Sequence, residues 1–164
     1  MRKVLGFSVL ALALASGSAF AGDSTGSMQV QADVINTCYI QSAALDFGEV
    51  PGVINTPVDG VGNVDLQCTP DTSWTITFDS GLNNSIPVDN SRAMVQGADF
   101  LSYSLYSDAA YSVEMNTQPA PTGIMGVSSA TGGVQSVPVY GRIPAGQIVR
   151  SNWYGDTVVA TVQF

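Results

Sequence analysis

The chain has 164 residues, with five Lys or Arg against thirteen Asp or Glu, no His and two Cys. That length suits one domain of ordinary size. Without His the chain lacks the commonest general base and the commonest metal ligand. Two Cys hold no thiolate metal cluster, and the acidic balance excludes a basic nucleic-acid footprint.

In chain order, residues 1–21 read as an export signal. Arg2 and Lys3 precede an almost wholly apolar run, Val4 to Ala15, and Ala19-Phe20-Ala21 has the small-x-small form of a cleavage site. The run falls well short of the ~20 residues that a membrane-spanning helix needs. The mature chain is expected to start at Gly22 and to keep Arg92, Arg142 and Arg150 as its cations, with no Lys and no integral membrane segment. Such acidity favours solubility and repels anionic surfaces, but names no partner.

Residues 22–37 form an N-terminal extension. Gly22 to Ser27 is small, polar and flexible. Met28, Val30, Ala32 and Val34 then alternate with Gln29, Gln31 and Asp33, the period of a strand with one apolar face. At about 3.3 Å per residue this run is roughly 23 Å long, enough to cross a sandwich. Alternation alone leaves two readings open: the first strand of the chain's own sandwich, or a strand held out for another subunit.

The domain proper is expected over residues 38–164. Strands are predicted around Ala44 to Phe47, Val61 to Cys68, Trp74 to Phe78, Leu101 to Tyr106, Gln135 to Ile143 and Thr157 to Phe164. Turns are predicted at Asp59-Gly60-Val61-Gly62-Asn63, at Ser80 to Asn84 and at Thr131-Gly132-Gly133. Short strands with such punctuation read as an all-β sandwich. Cys38 and Cys68 are an even pair in an exported chain, so a disulfide is expected. Closing a loop of about thirty residues stabilises by roughly 3.5 kcal/mol in the chain-entropy description. A reactive Cys is disfavoured, because neither His nor Lys is present in the mature chain to lower a thiol pKa.

The C-terminal end bears on the N-terminal alternatives. Val158, Ala160, Val162 and Phe164 alternate in a strand that ends the chain. An immunoglobulin-like sandwich has about seven strands, and six are predicted after residue 38. A missing strand leaves an apolar groove and unpaired backbone groups, an edge that recruits an extended segment from another chain.

Several blocks together resemble the spore coat protein U family, the secreted pilin domains of archaic chaperone–usher pili. They are Leu45-Asp46-Phe47-Gly48, Cys68-Thr69-Pro70 leading into Trp74 to Gly81, Arg92-Ala93-Met94, and Leu101 to Asp108. The strongest is the C-terminal block, Tyr140-Gly141-Arg142-Ile143-Pro144-Ala145-Gly146-Gln147, followed by Tyr154-Gly155-Asp156-Thr157-Val158. The chain departs from the pattern in two loops, reading Tyr111 to Met115 where a Trp-Gly pair is common and Asn152-Trp153 where a Gly is common.

The resemblance implies an incomplete immunoglobulin-like β-sandwich of about six strands plus an N-terminal donor strand. By that analogy a periplasmic pilus chaperone completes the fold first and the next identical or related pilin subunit completes it afterwards, at an outer-membrane usher. Met28, Val30, Ala32 and Val34 would be the donor strand, and Val158, Ala160, Val162 and Phe164 would line part of the acceptor groove. The product would be a surface fibre or secreted polymer serving adhesion and biofilm formation. A single domain fits a shaft or minor subunit better than a tip adhesin.

No enzyme, metal or cofactor is expected. Asp59 to Asp65 superficially suggests calcium, but lacks the loop order and terminal Glu of an EF-hand. No carboxylate pair has a spacing that singles it out for glycoside hydrolysis. Asp46 and Asp156 are read as turn or strand-end hydrogen-bonders, and Arg142 as half of a surface ion pair. The alternative function is a monomeric secreted β-sandwich that binds carbohydrate or a receptor, or a spore or cell coat protein.

Overall fold

Period-two alternation becomes antiparallel sheet throughout this computed structural model, which describes residues 21–83, 92–115 and 122–164. Apart from Ala21, the expected signal segment lies outside the described residues, as do residues 84–91, with Asn84 of the second predicted turn, and residues 116–121. Among the described residues there are ten strands: β1 (Cys38–Ala44), β2 (Val53–Ile54), β3 (Val58–Cys68), β4 (Ser73–Phe78), β5 (Arg92–Gln96), β6 (Asp99–Tyr106), β7 (Ile124–Val127), β8 (Gln135–Ile143), β9 (Gln147–Ile148) and β10 (Ala160–Gln163). They make a five-stranded sheet in the order β1-β3-β8-β6-β5, a three-stranded sheet β10-β4-β7, and the small pair β2-β9. The chain is all-β. It divides into two units, Met1–Asp33 and Val34–Phe164, and every strand belongs to the second.

The buried parity of each long strand builds one core. β4 turns Trp74, Ile76 and Phe78 inward, β6 turns Leu101, Tyr103 and Leu105, and β8 turns Val137, Val139 and Ile143, joined by Val64 and Leu66 of β3. These are the apolar runs predicted from alternation, because residues two apart share a face. Cys38 and Cys68 are bonded to each other. They are register partners on neighbouring strands, and at the next pair outward Thr69 donates its backbone N–H to the Thr37 carbonyl while Thr37 N–H donates to the Thr69 hydroxyl. The cysteines thus occupy the closer, non-hydrogen-bonded kind of antiparallel pair.

Three expectations need correction. Asp59 to Asn63 is not a turn but lies in the first half of β3, paired residue for residue with β8. Gly60 and Gly62 share the inward face of β3, and Gly60 sits opposite Gly141 of β8. A Cβ at Gly62 would overlap Ala44 and Leu45, and one at Gly60 or Gly141 would press on Phe47. The glycines therefore leave a hollow into which Leu45 and Phe47 fold, which is why strand pairing stops at Ala44 rather than running over Ala44 to Phe47 as expected. The count of six strands was also too low, since β5, β7 and the pair β2-β9 carry weak or very short alternation. Residues 22–37 carry no strand in this single chain, which leaves both readings of Met28 to Val34 open.

Candidate functional site

The two main sheets bring their end strands, β1 and β10, close to each other. Between them lies a cleft of about 630 Å³. One wall is Ala43 to Val50, where the chain leaves β1 and Leu45 and Phe47 drop into the glycine hollow. The other is Val149 to Ala160, the approach to β10. Core side chains Phe78, Leu101, Tyr103 and Leu105 form the floor.

The β10 wall has an open edge whose parity can be worked out. Asp79 donates its backbone N–H to the carbonyl of Val159 at 3.1 Å, and Leu82 donates to that of Thr157 at 3.1 Å. The pairs Thr161↔Thr77 and Gln163↔Thr75 continue that parity. Successive residues of a strand send their backbone groups to opposite sides, so Val158, Ala160 and Val162 send theirs away from β4. β10 ends its sheet, so that side is an edge. The same three residues turn half-buried side chains toward the core. Alternating apolar contacts and backbone hydrogen-bonding groups therefore coincide along one line, which is what an added β-strand needs.

A half-buried polar cluster holds the foot of this wall. Asp156 Oδ2 accepts the Tyr103 hydroxyl at 2.8 Å, while its Oδ1 accepts from the backbone of Leu82 (3.1 Å) and Thr157 (2.8 Å) and from Asn83 Nδ2 (3.0 Å). Gly81, at φ +79°, leaves the seat of that carboxylate free, since any Cβ there would collide with it. Burial, and then Asp156, push the Tyr103 phenol far above its ordinary value. Asp79 adds a second tie, its side chain accepting from Val159 N–H at 2.8 Å. Arg92, only 2% exposed, donates to the carbonyls of Asp79, Phe78 and Met115 at 2.7, 3.2 and 3.0 Å. Burial lowers its pKa, the nearby Tyr103 phenol and carboxylates opposing that.

Of the expected groove residues, Val158 and Ala160 line the cleft; Val162 packs against the core farther along β10, and Phe164 is exposed at 58%. Met28, Val30, Ala32 and Val34 are exposed. The wall made by Leu45 and Phe47, the floor tyrosine Tyr103 and the buried Arg92 were missed as site residues. Tyr103 carried a signal, being the polar-tipped member of the inward set Leu101-Tyr103-Leu105. Asp46 and Asp156 do act as turn and strand-end acceptors, Asp46 taking Gly48 N–H at 2.8 Å.

The suspected calcium stretch is structural. Asp59 meets Arg142 with two bonds of 2.6 and 2.8 Å, and that hydrogen bonding holds its carboxyl below the ordinary value. Arg142 also lies 3.8 Å over the ring of Tyr111. Asp65 accepts from Ser42 at 2.6 Å, which likewise lowers it. No group of metal-ligating side chains occurs among the described residues.

Residues 24–161 match the sequence model of the Spore Coat Protein U domain. The chain belongs to that family. Among curated relatives, Protein U of Myxococcus xanthus is 33% identical over 167 residues, an alignment that covers 92% of this chain and 90% of that protein. Among solved structures, the fold resembles a chain of the CsuC–CsuE chaperone–tip adhesion subunit pre-assembly complex from archaic chaperone–usher Csu pili of Acinetobacter baumannii. The TM-score is 0.55 at 19% identity, over 80% of this chain, which spans 40% of the length of that one. Family membership places the chain among Spore Coat Protein U domains, and the structural likeness shows a shared all-β fold. No helix among the described residues is long and apolar enough to cross a membrane.

Proposed function

We propose that this chain is a pilin-type subunit that polymerises by donor-strand exchange. In this reading the cleft between β1 and β10 accepts an extended segment of another protein, first from a periplasmic pilus chaperone and then, at an outer-membrane usher, from the next subunit. Met28, Val30, Ala32 and Val34 are the segment this chain donates in its turn, and the product is a surface fibre for adhesion and biofilm formation. The observation that carries the reading is the coincidence on β10 of an open backbone edge with half-buried Val158, Ala160 and Val162. The family and the likeness in fold to a chain of a chaperone–pilus subunit complex support it further.

Cells producing the chain with its chaperone and usher are expected to display fibres by electron microscopy, and deletion of residues 22–35 is expected to abolish them while leaving the subunit bound to its chaperone. Fibres that persist after the deletion would contradict donor-strand exchange. The family's description favours one second reading, a coat constituent, and the same images would then show a continuous surface layer.

A further inference from the structure

The floor of the cleft holds a residue that touches both walls. Tyr103, on the inward face of β6, is 5% exposed. Its ring meets Phe47 edge-on, with centroids 6.0 Å apart and planes at 68°. Its hydroxyl donates to Asp156 at 2.8 Å. Phe47 belongs to the wall that leaves β1, and Asp156 to the wall that leads into β10. Asp156 in turn fixes Leu82, Asn83 and Thr157, so the one phenol hydroxyl connects β6 to the whole foot of the β10 wall.

We propose that Tyr103 is a positioning residue of the cleft, which by gripping Phe47 on one side and Asp156 on the other sets the gap at the width of one strand before a strand arrives. The inference rests on the strand-accepting reading and goes beyond it by naming what prepares the site. An interface that must order its own wall during binding loses affinity to that ordering, and a wall ordered at folding does not. Once a strand is seated, its backbone hydrogen bonds hold the β10 wall directly and the Tyr103 hydroxyl becomes redundant. The residue therefore governs entry of the strand far more than its escape. A hydroxyl that merely stabilised the core would weaken the empty and the filled forms alike.

The test uses the full chain and a fluorescently labelled peptide with the sequence of residues 22–35, followed by anisotropy. Tyr103→Phe, which removes only the hydroxyl, is expected to slow association on the order of tenfold, the scale of one hydrogen bond to a charged acceptor. Dissociation of the seated peptide and the melting temperature of the filled form should stay at wild-type values. Tyr106→Phe, on the outward face of the same strand, should leave both rates unchanged. Association of the Tyr103→Phe chain at the wild-type rate, or equal weakening of the empty and filled forms, would overturn the proposal. If Tyr103→Phe does not fold, Phe47→Leu removes the other grip and is judged by the same association rate. A wild-type chain that takes up no peptide would instead remove the strand-accepting reading, and this inference with it.

Discussion

Arg92 is the residue whose role departs most from its type. A guanidinium rarely lies this deep unless its donors are used, and here three backbone carbonyls use them, two at the end of β4 and one at Met115. It thus clamps the turn out of β4, beside which the Thr157 and Val159 carbonyls are bonded. Arg92→Leu should cost about 3 kcal/mol or more in urea unfolding, because buried carbonyls lose their donors at roughly 1–3 kcal/mol each. A loss below 1 kcal/mol would mean that water replaces the guanidinium. The sequence hid this role for a physical reason: carbonyl acceptors have no side-chain signature, so Arg92 stood out only as one of three cations and as part of the block Arg92-Ala93-Met94. Arg142 was legible as an ion pair, because its partner Asp59 is a side chain on the neighbouring strand.

Strands that pack one face on the core were legible almost residue for residue. Trp74-Ile76-Phe78, Leu101-Leu105 and Val137-Val139-Ile143 all announce themselves by alternation, since burial imposes the period. The segment Asp59 to Asn63 misled because Gly, Asp and Asn are the residues of turns, whereas Gly60 and Gly62 are there to admit Leu45 and Phe47 against the sheet. A glycine retained for what packs on it cannot be told, from one sequence, from a glycine retained for its φ. Gly62→Ala should therefore destabilise the chain by about 1–3 kcal/mol through overpacking, read as a lower urea midpoint at unchanged slope. Gly133→Ala, where a Cβ would meet only Thr131 at an ordinary 3.6 Å, should be close to neutral. Equal effects at the two sites would contradict the hollow.

At the scale of the molecule, two sheets share a core but leave their end strands β1 and β10 unjoined across a cleft. An exposed, partly apolar edge is a liability in a soluble domain unless it is used. The sequence made β10 legible through the alternation of Val158, Ala160 and Val162. It did not make the cleft's walls legible, because they depend on how far residues 43–50 and 149–160 stand apart, a tertiary distance. Filling the cleft with Met28, Val30, Ala32 and Val34 would bury four apolar side chains at roughly 1.5–3 kcal/mol each, a gross gain on the order of 10 kcal/mol before ordering costs. That is comparable with the whole net stability of a typical domain, about 5–15 kcal/mol, so strand occupancy should decide stability. The direct measurement is a paired thermal melt of one chain that starts at Asn36 and another in which residues 22–35 are moved behind Phe164 through a short flexible linker. The account predicts that the shortened chain is unstable or aggregates, while the rearranged chain melts far higher as a monomer. Equal melting temperatures, or a rearranged chain that fails to fold, would contradict it.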